Sequence, residues 1–305
     1  MENIIEKIAF LKKERNALIL AHYYQIPEVQ QIADFVGDSF ELCKIAKRAQ
    51  EEVIVLCGVY FMAESVKILS PEKTVLIPNI NAGCPMADMI KPEDVRNLRH
   101  QYKEAAVVTY INSSAAVKAE SDICCTSSNA VEIVNSLPNE EIIFVPDKNL
   151  GSYVSRFTNK KFIYFDGYCH VHNNITLQDL ERERKLHPNA PVLVHPECRA
   201  EVVDHADFVG STSRILDYAT RSEQKEFIIG TEKGILYSLK QNNPDKEFYP
   251  LSANLICPNM KKTSLASVLS CLEDEANHVE CSEKIIEAAA LSLNKMLAVM
   301  SQKER

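Results

Sequence analysis

Leu18-Ile19-Leu20-Ala21-His22 is an apolar run closed by a polar side chain, and the chain repeats it at Ala106-Val107-Val108-Thr109-Tyr110 and at Pro191-Val192-Leu193-Val194-His195. Twelve residues beyond each closing residue stands an aspartate, Asp34, Asp122 and Asp207, and five residues beyond that a hydroxyl, Ser39, Ser127 and Thr212. A second apolar run opens on Glu52, Glu141 and Glu226, and a lone cysteine follows that glutamate by 32, 28 and 31 residues: Cys84, Cys169 and Cys257. Agreement at so many offsets marks an internal repeat. Its spacing of 85 and 88 residues between cysteines is too long for a solenoid unit, so it reads as triplication of a small domain. The expected division of the 305 residues is 1–85, 86–170 and 171–258, followed by a helical segment, 259–305, that closes the ring.

Each repeat opens with apolar residues at helical spacing, over 4–15, 92–102 and 177–186. Four short continuous apolar runs follow in the first repeat, at 17–21, 33–36, 53–56 and 74–77. Such runs alternating with helices predict parallel strands buried on both faces. The fold class is therefore α/β: three homologous αβα domains with short parallel sheets, in a pseudo-threefold arrangement around a central active site. In sheets of this kind ligands collect beyond the carboxyl ends of the strands. His22, Tyr110, His195, Ser39, Ser127, Thr212 and the three cysteines all follow predicted strands on that edge, so a common axis would bring nine polar side chains together. The segments 263–273 and 282–300 read as helices, the first standing where a fourth repeat would start.

Charged residues make up 25% of the chain and hydrophobic ones 46%, the balance of a soluble globular protein. The net charge of -8 with scattered basic residues gives nucleic-acid binding no electrostatic support. No apolar stretch approaches the roughly 18 residues of a membrane span, and the N-terminus, with Glu2 and Glu6, does not read as a signal peptide. A cytoplasmic location is expected, with the ten cysteines reduced. Cys43, Cys57, Cys124, Cys125, Cys198, Cys271 and Cys281 lie outside the cysteine repeat and are given no role.

Three cysteines from three domains suit a 4Fe-4S cluster, one per chain, in which one iron carries no protein thiolate. That open iron can act as a Lewis acid toward a carboxylate or hydroxyl. The spacing excludes a Cys-x-x-Cys zinc ribbon and leaves a three-cysteine zinc site open. Ser39, Ser127 and Thr212 precede predicted helices, where they could serve as simple N-caps. Their recurrence at one offset on the cysteine edge favours anion binding instead. His195-Pro196-Glu197 is the best acid–base candidate, because residues two apart after a strand can both reach the edge. Tyr24 is a candidate proton donor, with core packing as its competing use. His170 and His172 flank Cys169 and are expected to hydrogen-bond cluster sulfurs or shape the loop rather than ligate.

Over nearly its whole length the chain resembles the quinolinate synthases. The resemblance is carried by Ala21-His22-Tyr23-Tyr24-Gln25, Gly37-Asp38-Ser39, Phe61-Met62-Ala63-Glu64, Gly83-Cys84-Pro85-Met86-Ala87, Pro146-Asp147-Lys148-Asn149-Leu150, Gly167-Tyr168-Cys169-His170-Val171-His172, His195-Pro196-Glu197-Cys198, Gly210-Ser211-Thr212 and Cys257-Pro258-Asn259-Met260-Lys261. It implies a 4Fe-4S cluster on Cys84, Cys169 and Cys257, and a transferase that condenses iminoaspartate with dihydroxyacetone phosphate to quinolinate, phosphate and water in NAD biosynthesis. It further implies a substrate site of His22, Ser39, Tyr110, Asn112, Ser127, His195, Glu197 and Thr212, with Tyr24 and Glu197 carrying protons, and a functional coupling to L-aspartate oxidase. The chain departs from the family in reading Ala21-His22-Tyr23-Tyr24 where many relatives have asparagine at the third place. Its Cys257-Pro258-Asn259-Met260 loop also lacks the extra cysteines that some relatives carry. Two rival readings use the same thiols: a 4Fe-4S hydro-lyase acting on a small hydroxy acid, and a non-enzymatic iron–sulfur sensor.

Overall fold

The computed structural model describes residues 2–303. Twelve strands form three four-stranded sheets. The first sheet contains β1 (Ala17–His22), β2 (Phe35–Gly37), β3 (Val53–Cys57) and β4 (Thr74–Leu76) in the order β2-β1-β3-β4. The second contains β5 (Ala106–Tyr110), β6 (Ile123–Cys125), β7 (Glu141–Val145) and β8 (Lys161–Tyr164) in the order β6-β5-β7-β8. The third contains β9 (Val192–Val194), β10 (Phe208–Val209), β11 (Glu226–Gly230) and β12 (Glu247–Pro250) in the order β10-β9-β11-β12. All pairings are parallel, so one topology is built three times. The fold is α/β with three similar units, as the repeat predicts. Its leading strands are buried end to end because helices cover both faces.

The aspartate at the shared offset turns out to be a brace. Asp34, Asp122 and Asp207 each accept the main-chain N–H of a residue near the start of the leading strand, Ile19, Val107 and Val192, at 2.8 Å in every unit. Each aspartate N–H returns a bond to the carbonyl of that same residue. This reciprocal pair also explains a boundary: the run predicted at 33–36 becomes a strand only from Phe35, because Ala33 ends the helix Pro27–Ile32 and Asp34 is committed to the brace.

A second brace was not read from the sequence. Lys73, Lys160 and Lys246 stand just before, or one residue before, the fourth strand of their units, and each sends its ammonium to carbonyls at the end of an earlier helix. Lys73 donates to Ala49 and Glu51, Lys160 to Leu137 and Asn139, and Lys246 to Ala219 and Ser222. A cation on the orphan carbonyls of a helix end is worth roughly 0.3–1 kcal/mol at the surface and up to about 2 kcal/mol when partly buried.

After the third sheet the chain returns to the first two units. Helix Leu265–Asp274 packs on the first helix, Glu2–Glu14, and on β3. Helix Glu283–Lys303 lies across Ala115–Ala119, β6, Tyr60–Leu69 and Ala130–Ser136. It thereby bridges the first unit to the second. Among the described residues no helix is long and apolar enough to cross a membrane, and all ten cysteines are free.

Candidate active site

In each sheet the leading strand lies between its second and third strands, so the winding reverses beside it, and a crevice opens beyond the carboxyl ends of the strands at such a point. His22 and Tyr110 end β1 and β5, and His195 directly follows β9. The three crevices merge into one cavity. Its wall includes His22, Tyr24, Ser39, Tyr110, Asn112, Ser127, His195, Glu197 and Thr212 together with Cys84, Cys169 and Cys257. All twelve residues singled out from the sequence therefore meet in one place, with His170 and His172 beside them.

The hydroxyls at the shared offset are not simple N-caps. Helix Ser39–Arg48 is capped by Asp38, whose carboxylate accepts from Phe40 and Glu41 N–H. Helix Thr212–Arg221 is capped by Ser211, which accepts from Arg214 N–H. Ser39 and Thr212, one residue further on, face the cavity instead. In the second unit Ser127 sits in the turn ahead of Ala130–Ser136, where Asn129 accepts from Thr126 N–H.

Two imidazoles are held in the same way. The N–H of Tyr24 donates to His22 Nδ1 at 3.1 Å, and the N–H of Glu197 donates to His195 Nδ1 at 3.3 Å. An Nδ1 that accepts leaves the proton on Nε2, and His195 Nε2 lies 3.2 Å from Ser127 Oγ. Burial, helped by the charge of Lys261, holds the pKa of His22 down at about 3. Burial also lowers that of His195, against the pull of Glu197. Both rings are therefore neutral donors at pH 7.

Glu197 is 2% exposed. Its Oε2 accepts from His172 Nδ1 at 2.7 Å and lies 3.3 Å from His195 Nδ1, while Oε1 is buried with no partner. Burial opposes its ionisation, but His172 outweighs that cost and holds its carboxyl well below the usual range. The phenol of Tyr24 is 2.8 Å from Thr212 Oγ1 and 2.6 Å from Thr231 Oγ1, and burial keeps it neutral by raising its pKa. Tyr110 is held neutral by burial too. Asn112 Oδ1 is a second buried acceptor in this wall without a partner.

The three cysteines keep some accessible surface because that surface faces the cavity. Cys84 and Cys169 precede short helical turns, Pro85–Asp88 and His170–Asn173, and Cys257 precedes the turn Met260–Lys262. Nearby main-chain N–H groups favour each thiolate, those of Met86 and Ala87 at Cys84, of His172 at Cys169, and of Asn259 and Met260 at Cys257, and His172 Nδ1 lies 3.2 Å from Cys169 Sγ. Burial still dominates, pushing the Cys84 thiol up to about 12 and raising the other two. Cys198 is buried, with its sulfur directed to the Gly230 carbonyl. The tightest set of ligand-type atoms among the described residues is Cys169, His172 and Glu197. The three cysteine sulfurs are not among such single-ion groups there.

Several residues of this site were not foreseen. Thr231 Oγ1 links Tyr24 to His172 Nε2, 2.8 Å away. Asp147 and Glu232 stand six residues after Glu141 and Glu226. Both are fully buried; Glu232 accepts the main-chain N–H of Cys257, and Asp147 accepts from Asn149 and Leu150 N–H at the start of helix Lys148–Ser155. Their shared offset was the signal available, but the first unit has Gly58 there, so the pattern holds in two copies of three.

The family model described as quinolinate synthetase A protein matches residues 6–298. A quinolinate synthase of Caldicellulosiruptor bescii is 58% identical over 298 residues, covering 97% of this chain and 98% of the relative. Quinolinate synthase 2 of Methanosarcina acetivorans is 56% identical over 296 residues, covering 97% and 96%. A quinolinate synthase of Clostridioides difficile is 53% identical over 296 residues, covering 97% of each.

Proposed function

The chain belongs to the quinolinate synthetase A family, and from that membership we propose that it is a quinolinate synthase of NAD biosynthesis, condensing iminoaspartate with dihydroxyacetone phosphate and releasing phosphate and water. The observation that carries this reading is the convergence of Cys84, Cys169 and Cys257, one from each unit, on a cavity that also holds two unsatisfied acceptors, Glu197 Oε1 and Asn112 Oδ1. The donor set fits a 4Fe-4S cluster, because three thiols facing one cavity need only lose protons, which a metal centre brings about, to supply one ligand to each of three irons. Bound there, the cluster would offer an open iron as Lewis acid for loss of a substrate hydroxyl.

The remaining work falls to protein side chains. Nε2–H of His22 and His195, with the hydroxyls of Ser39, Ser127 and Thr212, offers neutral donors to the carboxylates of iminoaspartate. An enclosed wall makes such fixed donors strong. Glu197, whose Oε1 has no protein partner, and the phenol of Tyr24 are the groups placed to carry protons during imine–enamine interconversion, a role that requires bound substrate to draw their pKa values back toward neutrality. The reactive imine substrate points to L-aspartate oxidase as its supplier.

Protein purified without oxygen, given both substrates, is expected to yield quinolinate and free phosphate and to contain iron and sulfide at a 4Fe-4S ratio. The Glu197→Gln variant should keep the cluster absorbance while turnover collapses. Turnover of a hydroxy acid without phosphate release, or colourless iron-free protein, would overturn the reading.

A further inference from the structure

The buried acid of the third unit has more partners than its counterpart in the second. Glu232 Oε1 accepts from Cys257 N–H at 3.1 Å, and Oε2 accepts from Gly234 N–H at 2.7 Å. The ammonium of Lys261 lies 2.9 Å from Oε1 and 3.1 Å from Oε2. The same ammonium donates to the main-chain carbonyl of Tyr24, 237 residues away in sequence. The Glu232 side chain is 1% exposed and that of Lys261 21%, so the pair is largely desolvated and each charge depends on the other.

The turn that carries Tyr24 is gripped from the other side as well. Gln30 Nε2 donates to the carbonyls of Tyr23, Gln25 and Gly234 at 3.0, 2.9 and 3.0 Å. A β-carbon at Gly234 would lie 2.7 Å from the backbone of Tyr24, so the two loops touch with no room between them. The turn from the first unit is thus fastened to the loops of the third unit that carry Thr231, Glu232 and Cys257.

We propose that Lys261 and Glu232 are positioning residues: their ion pair ties the Cys257 loop to the Tyr24 turn, so that the cysteine and the phenol across the cavity are placed as one body. The role given to Tyr24 rests on the function proposed above, whereas the mechanical link does not. The pair borders the cavity, Glu232 in its wall and Lys261 through its charge on His22, and its bonds run to the Tyr24 carbonyl and to the N–H groups of Gly234 and Cys257. Its removal therefore misplaces the Tyr24 hydroxyl relative to Thr212 and Thr231, and small misplacements of a reacting group cost on the order of 10²-fold in rate.

The test compares Lys261→Met with wild type as purified with its cluster. Iron and sulfide per chain should be retained, and kcat should fall on the order of 10²-fold with KM little changed. Lys261→Arg, which keeps the charge, should restore part of the loss. In a Tyr24→Phe background Lys261→Met should add almost nothing, because both changes remove the same placed hydroxyl. Fully additive losses would overturn the proposal. A second readout needs no turnover: amide exchange over residues 22–26 should quicken several-fold in Lys261→Met, while residues 106–112 of the second unit stay as in wild type. Unchanged exchange at 22–26 overturns the link even if the chain makes quinolinate. If quickened exchange is found in a chain that makes none, the link stands and the proposed function falls. Should Lys261→Met fail to fold, Glu232→Gln carries the same measurements with shape preserved.

Discussion

His22 shows at the scale of one residue how burial and one main-chain bond fix a protonation state. Its Nδ1 is committed to Tyr24 N–H and its pKa is held at about 3, against 6.5 for an unperturbed ring. In the window between those values the unfolded chain binds a proton that folded His22 refuses, so stability falls as pH falls from about 6.5 toward about 3. The His22→Gln variant should lose stability less steeply over that window, as measured by urea unfolding at several pH values. An identical slope would place the titration elsewhere. The strand-end residues, the hydroxyls and the cysteines of this wall were legible because they recur in three copies, which a single histidine or serine does not allow; Tyr24 and Glu197 were read from their places after a strand, and Asn112 from the family resemblance alone. Thr231, Glu232 and Lys261 were not legible, since their partners are remote in sequence and their pattern is incomplete across the units.

Helix Glu283–Lys303 shows what an element contributes. Ala289, Ser292, Leu293 and Met296 form its fully buried stripe. Ser292 donates to the Lys118 carbonyl at 2.9 Å and receives the Cys124 thiol at 3.3 Å, which seats the helix on the second unit. The same helix covers Tyr60–Leu69 of the first unit. Leu293→Ala should therefore cost about 2–5 kcal/mol, read as a lowered midpoint in urea with the slope unchanged. A loss under about 0.5 kcal/mol, the range of ordinary surface changes, would show that the helix is not part of the cooperative unit. Helices and leading strands were readable from apolar spacing because packing on one face enforces that spacing. The lysine braces escaped notice because a lysine after a polar turn reads by default as solvated, and their offset from the preceding glutamate drifts from 21 to 19 to 20 residues.

At the scale of the whole molecule the three sheets matter less singly than in how their carboxyl edges face one another. Each unit supplies one cysteine, one leading-strand residue and one hydroxyl residue, so no unit can form the cavity alone. Replacing any one of Cys84, Cys169 and Cys257 by serine is accordingly expected to abolish stable iron retention, whereas Cys198→Ala, buried away from the cavity wall, should retain it. Iron and sulfide assays on the four proteins decide this, and iron kept by all three serine variants would count against a shared centre. The triplication itself was open to reading from the sequence. The common axis followed from it as well, but the contacts between units that close the cavity did not, because no local pattern encodes them.

Main-chain amides favour the thiolate at each of the three cysteines, and the amide three positions after the cysteine, that of Ala87, His172 or Met260, does so every time. Any residue other than proline supplies that group, so descent from one ancestral copy has left the tails free to drift apart, into Pro85-Met86-Ala87, His170-Val171-His172 and Pro258-Asn259-Met260. The kinship of the three sulfur loops survives in the position of that one amide, long after it has been erased from their spelling.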